Sequence, residues 1–312
     1  MTMDQTDRDW AEDPTHHIID ERSDDFPELL RQIPDPPDRI YVIGRLAALH
    51  LPALAIVGSR NPTSGGRRNA YEFARHLGRS GFCIVSGLAQ GIDTAAHEGA
   101  LDGGATTIAF LGHGIDRVYP AENQALARRI VAAGGALCSE FARGSPPRRE
   151  HFPRRNRLIS GLTLGTLVVE AARRSGSLIS ARLASEQGRE IFAIPGSIHN
   201  PMSRGCHQLI RQGAKLVESA ADIVSELGPL VEHMLQVPAA AAPPSESATD
   251  EDGEYQVLLQ NLGFDPTTAD ELAARSGLTI DQVSSMLLIL ELEGKIEAQA
   301  GGRYSRLHEQ LG

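Results

Sequence analysis

The chain has 312 residues, enough for one large domain and a small one, and its 41% hydrophobic content is ordinary for a globular protein. No apolar run approaches the roughly 18 residues of a membrane span, and three cysteines (Cys83, Cys138, Cys206) exclude a fully paired disulfide framework. The net charge of −10 hides a division: residues 1–50 carry −7, residues 51–230 carry +7 and residues 231–312 carry −10.

Residues 1–25 are acidic and without hydrophobic periodicity, so they are expected to be disordered, and they are unlike a secretory signal. Residues 26–51 form an apolar lead-in broken by Pro34, Pro36 and Pro37. A repeating pattern then begins. Apolar runs at 53–57, 83–85, 106–111, 136–139, 164–169 and 191–194 alternate with helix-like stretches near 66–78, 94–102, 123–133, 178–187 and 205–212. Strands apolar on both faces need helices on both sides, which predicts a doubly wound α/β domain over residues 26–230 with a mostly parallel sheet.

Residues 231–253 read as a linker, above all the VPAAAAPPSESATDEDG stretch from Val237 to Gly253. Residues 254–312 then show a winged-helix pattern. Thr268-Ala-Asp-Glu271 and Thr279-Ile-Asp-Gln282 both fit the capping box, and Gly301-Gly302 fits a hairpin turn. The second capped helix carries Asp281, Glu291 and Glu293, which repel phosphate. A protein-contact or lid role therefore suits it better than base reading.

All strands of a parallel sheet end on one edge, where ligands settle. Here the exits are chemically alike: Gly58-Ser59-Arg60, Ser86-Gly87, Gly112-His113-Gly114, Ser175-Gly176-Ser177 and Pro195-Gly196-Ser197. Small residues let backbone approach an anion, and helix starts attract it. Between the fourth and fifth runs, six arginines stand from Arg143 to Arg157 with only Glu150 opposing them. The chain has 28 Arg and two Lys, and the Arg fork suits phosphate. These features point to a nucleic-acid backbone; the alternative is a solvated charge run.

Other chemistries find little support. The Gly58 turn does not spell G-x-G-x-x-G, and the P-loop pattern is missing. His97, His113, His151 and His199 show no metal spacing, and Ser59, Ser86 and Ser177 lack a nucleophile elbow. Asp93 reads as a helix cap. Glu170 is the best candidate acid, but no second carboxylate has an identifiable place beside it. No catalytic set, metal or cofactor is expected.

Seven motifs occur in order: Gly58-Ser59-Arg60, Ser86-Gly87-Leu-Ala-Gln-Gly91-Ile-Asp93, Tyr119-Pro120-Ala-Glu-Asn123, Phe152-Pro153-Arg-Arg-Asn156-Arg157, Glu170-Ala-Ala-Arg-Arg-Ser175-Gly176-Ser177, Phe192-Ala-Ile-Pro195-Gly196-Ser197, and a run from Gly205 to Leu216. Together they resemble the DprA (Smf) family of DNA processing proteins, from about residue 26 to 227. The resemblance implies an extended Rossmann-like domain that binds single-stranded DNA. It also implies loading of a RecA-type recombinase in natural transformation, and a cytoplasmic homodimer without enzymatic activity. On that basis the strand-binding set is Gly58, Ser59, Arg60, Ser86, Gly87, Arg149, Phe152, Arg155, Asn156, Arg157, Ser175, Gly176 and Ser177. Phe152 would stack a base, and His207 and Leu216 would belong to the dimer and recombinase surface.

There are departures. Residues 1–50 are too short and acidic for the sterile-alpha-motif or helix-hairpin-helix-like module of some relatives. Ala121 stands where some carry a basic residue, and 14 aromatics limit stacking, so affinity should be mainly electrostatic and sequence-tolerant. The alternative is a nucleotide-processing hydrolase on a related scaffold, but its P-G-G-x-G-T stretch is missing. A transcription factor using the winged helix conflicts with the acidic second helix.

Overall fold

The computed structural model describes residues 5–236, then 258, 262, 267–279, 283, 286, 287, 290, 296–299 and 303–306. The six apolar runs form parallel strands, separated by helices as expected. In chain order they are β3 (Ala53–Val57), α3 (Ser64–Arg79), β4 (Cys83–Ser86), α4 (Ile92–Asp102), β5 (Thr107–Phe110), α5 (Gln124–Ala132), β6 (Ala136–Ser139), α6 (His151–Gly161), β7 (Gly165–Val168), α7 (Ser177–Glu186) and β8 (Glu190–Ala193). The helix α8 (Arg204–Arg211), the short strand β9 (Lys215–Leu216) and α9 (Ala220–Gln236) follow. Ahead of them lie α1 (Gln5–Trp10), β1 (His16–Asp20), α2 (Glu28–Arg31) and β2 (Arg39–Gly44).

The sheet order is β1-β2-β6-β5-β4-β3-β7-β8-β9. From β6 to β9 every pair is parallel; β1 and β2 add antiparallel at the β6 edge. The chain steps outward from β3 to β6, then returns to the other side of β3 as β7. The crevice between the ends of β3 and β7 is thus the topological switch point, the ordinary ligand position in such sheets.

Alternation sorts the core into two layers. Ala53, Ala55 and Val57 of β3 face the layer holding Leu158, Ala181 and Cys206. Leu54 and Ile56 face Ala70, Leu77, Ile92 and Ile223. Each fully buried Leu or Ile contributes about 1.5–3 kcal/mol relative to exposure. The sheet therefore sits rigidly between helices, and its C-terminal edge is a firm platform.

Three expectations need correcting. The segment 1–25 is not disordered over its described part. Asp7 accepts from Tyr41 Oη at 2.9 Å, Trp10 stacks on His16 at 4.4 Å, and β1 pairs with β2 along its length. Backbone pairing and a few polar anchors hold this region, so it shows no apolar period. Secondly, α9 runs through residue 236, so the expected linker 231–253 begins as helix; residues 237–253 lie outside the described residues. Thirdly, the basic run, which is not among the helix-like stretches read from the sequence, ends as helix α6. Pro153 falls in the first turn, where the missing N–H has no intrahelical acceptor anyway.

The C-terminal residues form a second unit. The strand β10 (Thr267–Thr268) pairs with β12 (Arg303–Arg306), which pairs with β11 (Ile296–Gln299). The helix α10 (Ala269–Ser276) begins with the expected capping box between Thr268 and Glu271 and ends at Gly277, which has φ +75°. Leu258, Leu272, Leu287 and Ile296 share its core. The second capping box, and Asp281, Glu291 and Glu293, lie outside the described residues apart from Thr279. Among the described residues no helix is long and apolar enough to cross a membrane.

Candidate nucleic-acid interface

A cleft of about 710 Å³ opens at the switch point. Its floor is the end of β3, with Gly58, Ser59 and Arg60; one wall is the first turn of α6, and the other is the Arg174–Ser177 turn at the start of α7. Arg60 and Arg149 are exposed and line the cleft, as does Arg174. Arg174 was missed in the sequence, although it directly precedes the Ser175-Gly176-Ser177 turn. Three guanidinium groups thus gather around one hollow, where neighbouring positive charge concentrates phosphate.

The serine turn suits an anion. Ser175 and Ser177 hydroxyls lie 2.7 Å apart, Gly176 is exposed, and a Cβ there would meet nothing within 4 Å. The other glycines act differently from the expectation. A side chain at Gly58 would meet Ile92, one at Gly112 would meet the Phe152 ring, and one at Gly87 would meet Arg155. The space a side chain would need is taken by protein, so packing by itself requires glycine at these positions.

Arg155 is a buried strut. It is 3% exposed, and its Nη1 donates to the Phe110 carbonyl at 2.6 Å. Burial lowers its pKa to about 10, Arg60 adds to the fall, and Asp93 opposes it, so it stays cationic at neutral pH. Asp93, at the start of α4, accepts from Ala89 N at 3.3 Å, and burial raises its pKa against the pull of Arg155. Asn156 lines the cleft one helix position along.

Phe152 is held between neighbours. The Arg60 guanidinium lies 5.3 Å from its ring centroid, and Gly112 backs it. Tyr119, 50% exposed, has its ring 6.2 Å from that of Phe152.

Four further candidate residues are engaged by protein partners. Ser59 touches the cleft, but its hydroxyl accepts from Asn61 N at 3.0 Å and serves the turn. Ser86 is fully buried and donates to the Ile56 carbonyl at 2.7 Å, which takes it out of the cleft. Arg157 points away from the cleft: its Nη2 meets Glu140 at 2.5 Å and its Nε meets Asp35 at 3.0 Å. At 7% exposure it ties α6 to β6 and the N-terminal segment. Glu170 accepts from Thr63 N at 2.9 Å and Thr63 Oγ1 at 2.7 Å, so it anchors the N-cap of α3. His207 and Leu216 lie on α8 and β9. The His207 ring is 3.0 Å from the Gly196 carbonyl, and Leu216 is 50% exposed on the edge strand.

These features define an extended Rossmann-like α/β protein with a cationic cleft at its switch point and a small C-terminal domain. The family model for DNA recombination-mediator protein A matches residues 17–228, and that for the DprA winged helix domain matches residues 239–302. The chain belongs to the DprA (Smf) family. It is 45% identical over 298 residues to Protein Smf of Escherichia coli (strain K12), covering 96% of this chain and 79% of that protein. It is 43% identical over 219 residues to the DNA processing protein DprA of Streptococcus pneumoniae, covering 70% and 76%. The solved S. pneumoniae DprA structure aligns with TM-score 0.65 at 42% identity, over 72% of this chain and 78% of that one. DNA processing protein A of Helicobacter pylori, whose structure gave insights into its single-stranded DNA binding mode, aligns with TM-score 0.62 at 29% identity, over 69% and 96%. The second family match begins within the segment expected as a linker.

Proposed function

We propose that this chain binds single-stranded DNA in the switch-point cleft and hands the strand to a RecA-type recombinase. The observation that carries the reading is the gathering of Arg60, Arg149 and Arg174 around the open Ser175–Ser177 turn. Arg pairs with phosphate through a planar fork, and three such groups beside a helix start suit a flexible polyanion. The H. pylori relative's single-stranded DNA binding points the same way.

Transfer to a recombinase rests on membership of a family described as recombination mediators. The working form is a homodimer, with His207 and Leu216 in its surface; an exposed Leu on an edge strand supports this. The setting is cytoplasmic, in natural transformation and recombination. No catalytic step is assigned. Glu170, the best acid in the sequence, is engaged by Thr63, which weighs against the hydrolase alternative.

Fluorescence anisotropy with single- and double-stranded oligonucleotides at several salt concentrations tests the reading. Tight, salt-dependent binding of the single strand is expected. Equal preference for duplex, or turnover of nucleotides in a parallel assay, would overturn it.

A further inference from the structure

Beside the main cleft lies a second recess of about 350 Å³, lined by Gln90, Tyr119, Pro120 and Glu122 and walled by Arg60 and Phe152. Its size falls within the roughly 300–1,000 Å³ of small-ligand sites. Arg60 and Phe152 line both hollows, so a strand gripped by Arg60 has this recess within reach of its next bases.

The aromatic groups divide their labour. Phe152 carries the Arg60 guanidinium on its ring and rests against Gly112, so part of its surface is already engaged by protein. Tyr119 is different: it is half exposed and leans against Phe152 and, edge-on, against His113 at 6.5 Å. Its ring is therefore braced by protein yet open to a visitor. An aromatic face braced in this way accepts a flat base at low entropic cost.

The rim chemistry narrows the choice. Gln90 and Glu122 are both exposed side chains on the recess. A carboxylate offers acceptors and no donor. Guanine alone among the four bases sets two N–H donors, N1 and N2, side by side on its pairing edge. Cytosine and adenine offer one amino group beside an acceptor, and thymine offers one N–H between two carbonyls.

We propose that this recess is a base subsite of the strand path, with Tyr119 as its stacking shelf and Glu122 selecting guanine. The inference rests on the single-strand reading above. It differs from that reading in making one position of the strand sensitive to base identity.

Anisotropy titrations of the full chain with a thymidine oligomer, and with the same oligomer carrying one guanine, provide the test. Wild type should bind the guanine strand about tenfold more tightly. Tyr119→Ala should weaken binding of the guanine strand by about tenfold or more, and Tyr119→Phe should restore it. Glu122→Gln should erase the guanine preference, read as the ratio of the variant's affinities for the two strands. Thermal melts of each variant separate lost contacts from lost folding. Equal affinity of wild type for the two strands, or wild-type affinity in a folded Tyr119→Ala, would overturn the subsite and leave the single-strand reading standing. Absence of wild-type binding to either strand would sink that reading, and the subsite with it.

Discussion

The Arg155 guanidinium fills the space that a side chain on Gly87 would need. This contact joins the end of β4 to α6, and the Nη1 bond to Phe110 extends the tie to β5. The first turn of α6, which presents Phe152 and Asn156 to the cleft, is thereby set by a residue that the cleft buries.

Gly87→Ala should force Arg155 off Phe110 and tilt the start of α6. Overpacking of this kind costs about 1–3 kcal/mol, seen as a lower urea midpoint with unchanged slope. Single-strand affinity should fall with it. Gly176→Ala is the contrast: φ at Gly176 is −61° and a Cβ there meets nothing within 4 Å. Its stability should be unchanged or about 0.4–1 kcal/mol higher.

Arg157→Leu should behave as a folding variant, not a binding variant. Glu140, 3% exposed at its side chain, would lose its buried partner and keep only the exposed Arg154 at 3.1 Å, at a cost of about 1–3 kcal/mol. Burial already raises the Glu140 pKa, and Arg157 opposes that rise first. Removing the opposition raises it further, so the penalty should shrink as pH falls and the carboxyl takes a proton. In the folded fraction, the salt dependence of strand binding should match wild type. A steep loss of binding without loss of stability would return Arg157 to the cleft.

What the sequence revealed and what it hid have separate physical causes. The six parallel strands are legible because residues such as Ala55 and Ile56 must face apolar layers on opposite sides. The strand β1, HHIID, has no such signature, since its backbone pairing with β2 carries it. Charge alone could not separate Arg60 from Arg157. The partners that remove Arg157 from the cleft, Glu140 and Asp35, stand far from it in the chain, and only folding brings them together. Ser86 failed for a similar reason, because its acceptor lies on β3.

His97 should make the protein acid-sensitive. The Thr107 hydroxyl donates to the Ile84 carbonyl at 2.7 Å, so His97 Nδ1 must be the donor to Thr107 Oγ1. Burial, helped by Arg155, lowers the His97 pKa from 6.5 to about 3. Between those values the unfolded chain binds a proton that the folded chain refuses, so stability falls as pH drops through that window and is flat above it. The slope from this group is at most about 1.4 kcal/mol per pH unit. His97→Gln, which keeps a donor for Thr107, should flatten the difference in urea-unfolding free energy between neutral and acid pH. An unchanged profile would mean that other groups set the acid response.

Arg60 is the exposed charge shared by both hollows, and its substitution separates grip from shape. Each phosphate neutralised on a single strand adds about 0.7 to the slope of log affinity against log salt. Arg60→Glu should lower that slope by about one and weaken low-salt binding severely, with the gap closing as salt rises. Arg60→Lys keeps the charge but loses the planar fork above Phe152. It should therefore hold the slope and still bind less tightly. If Arg60→Glu instead shows wild-type affinity and slope, the strand does not pass between β3 and β7. The arginines of that edge would then be a charged surface without a ligand.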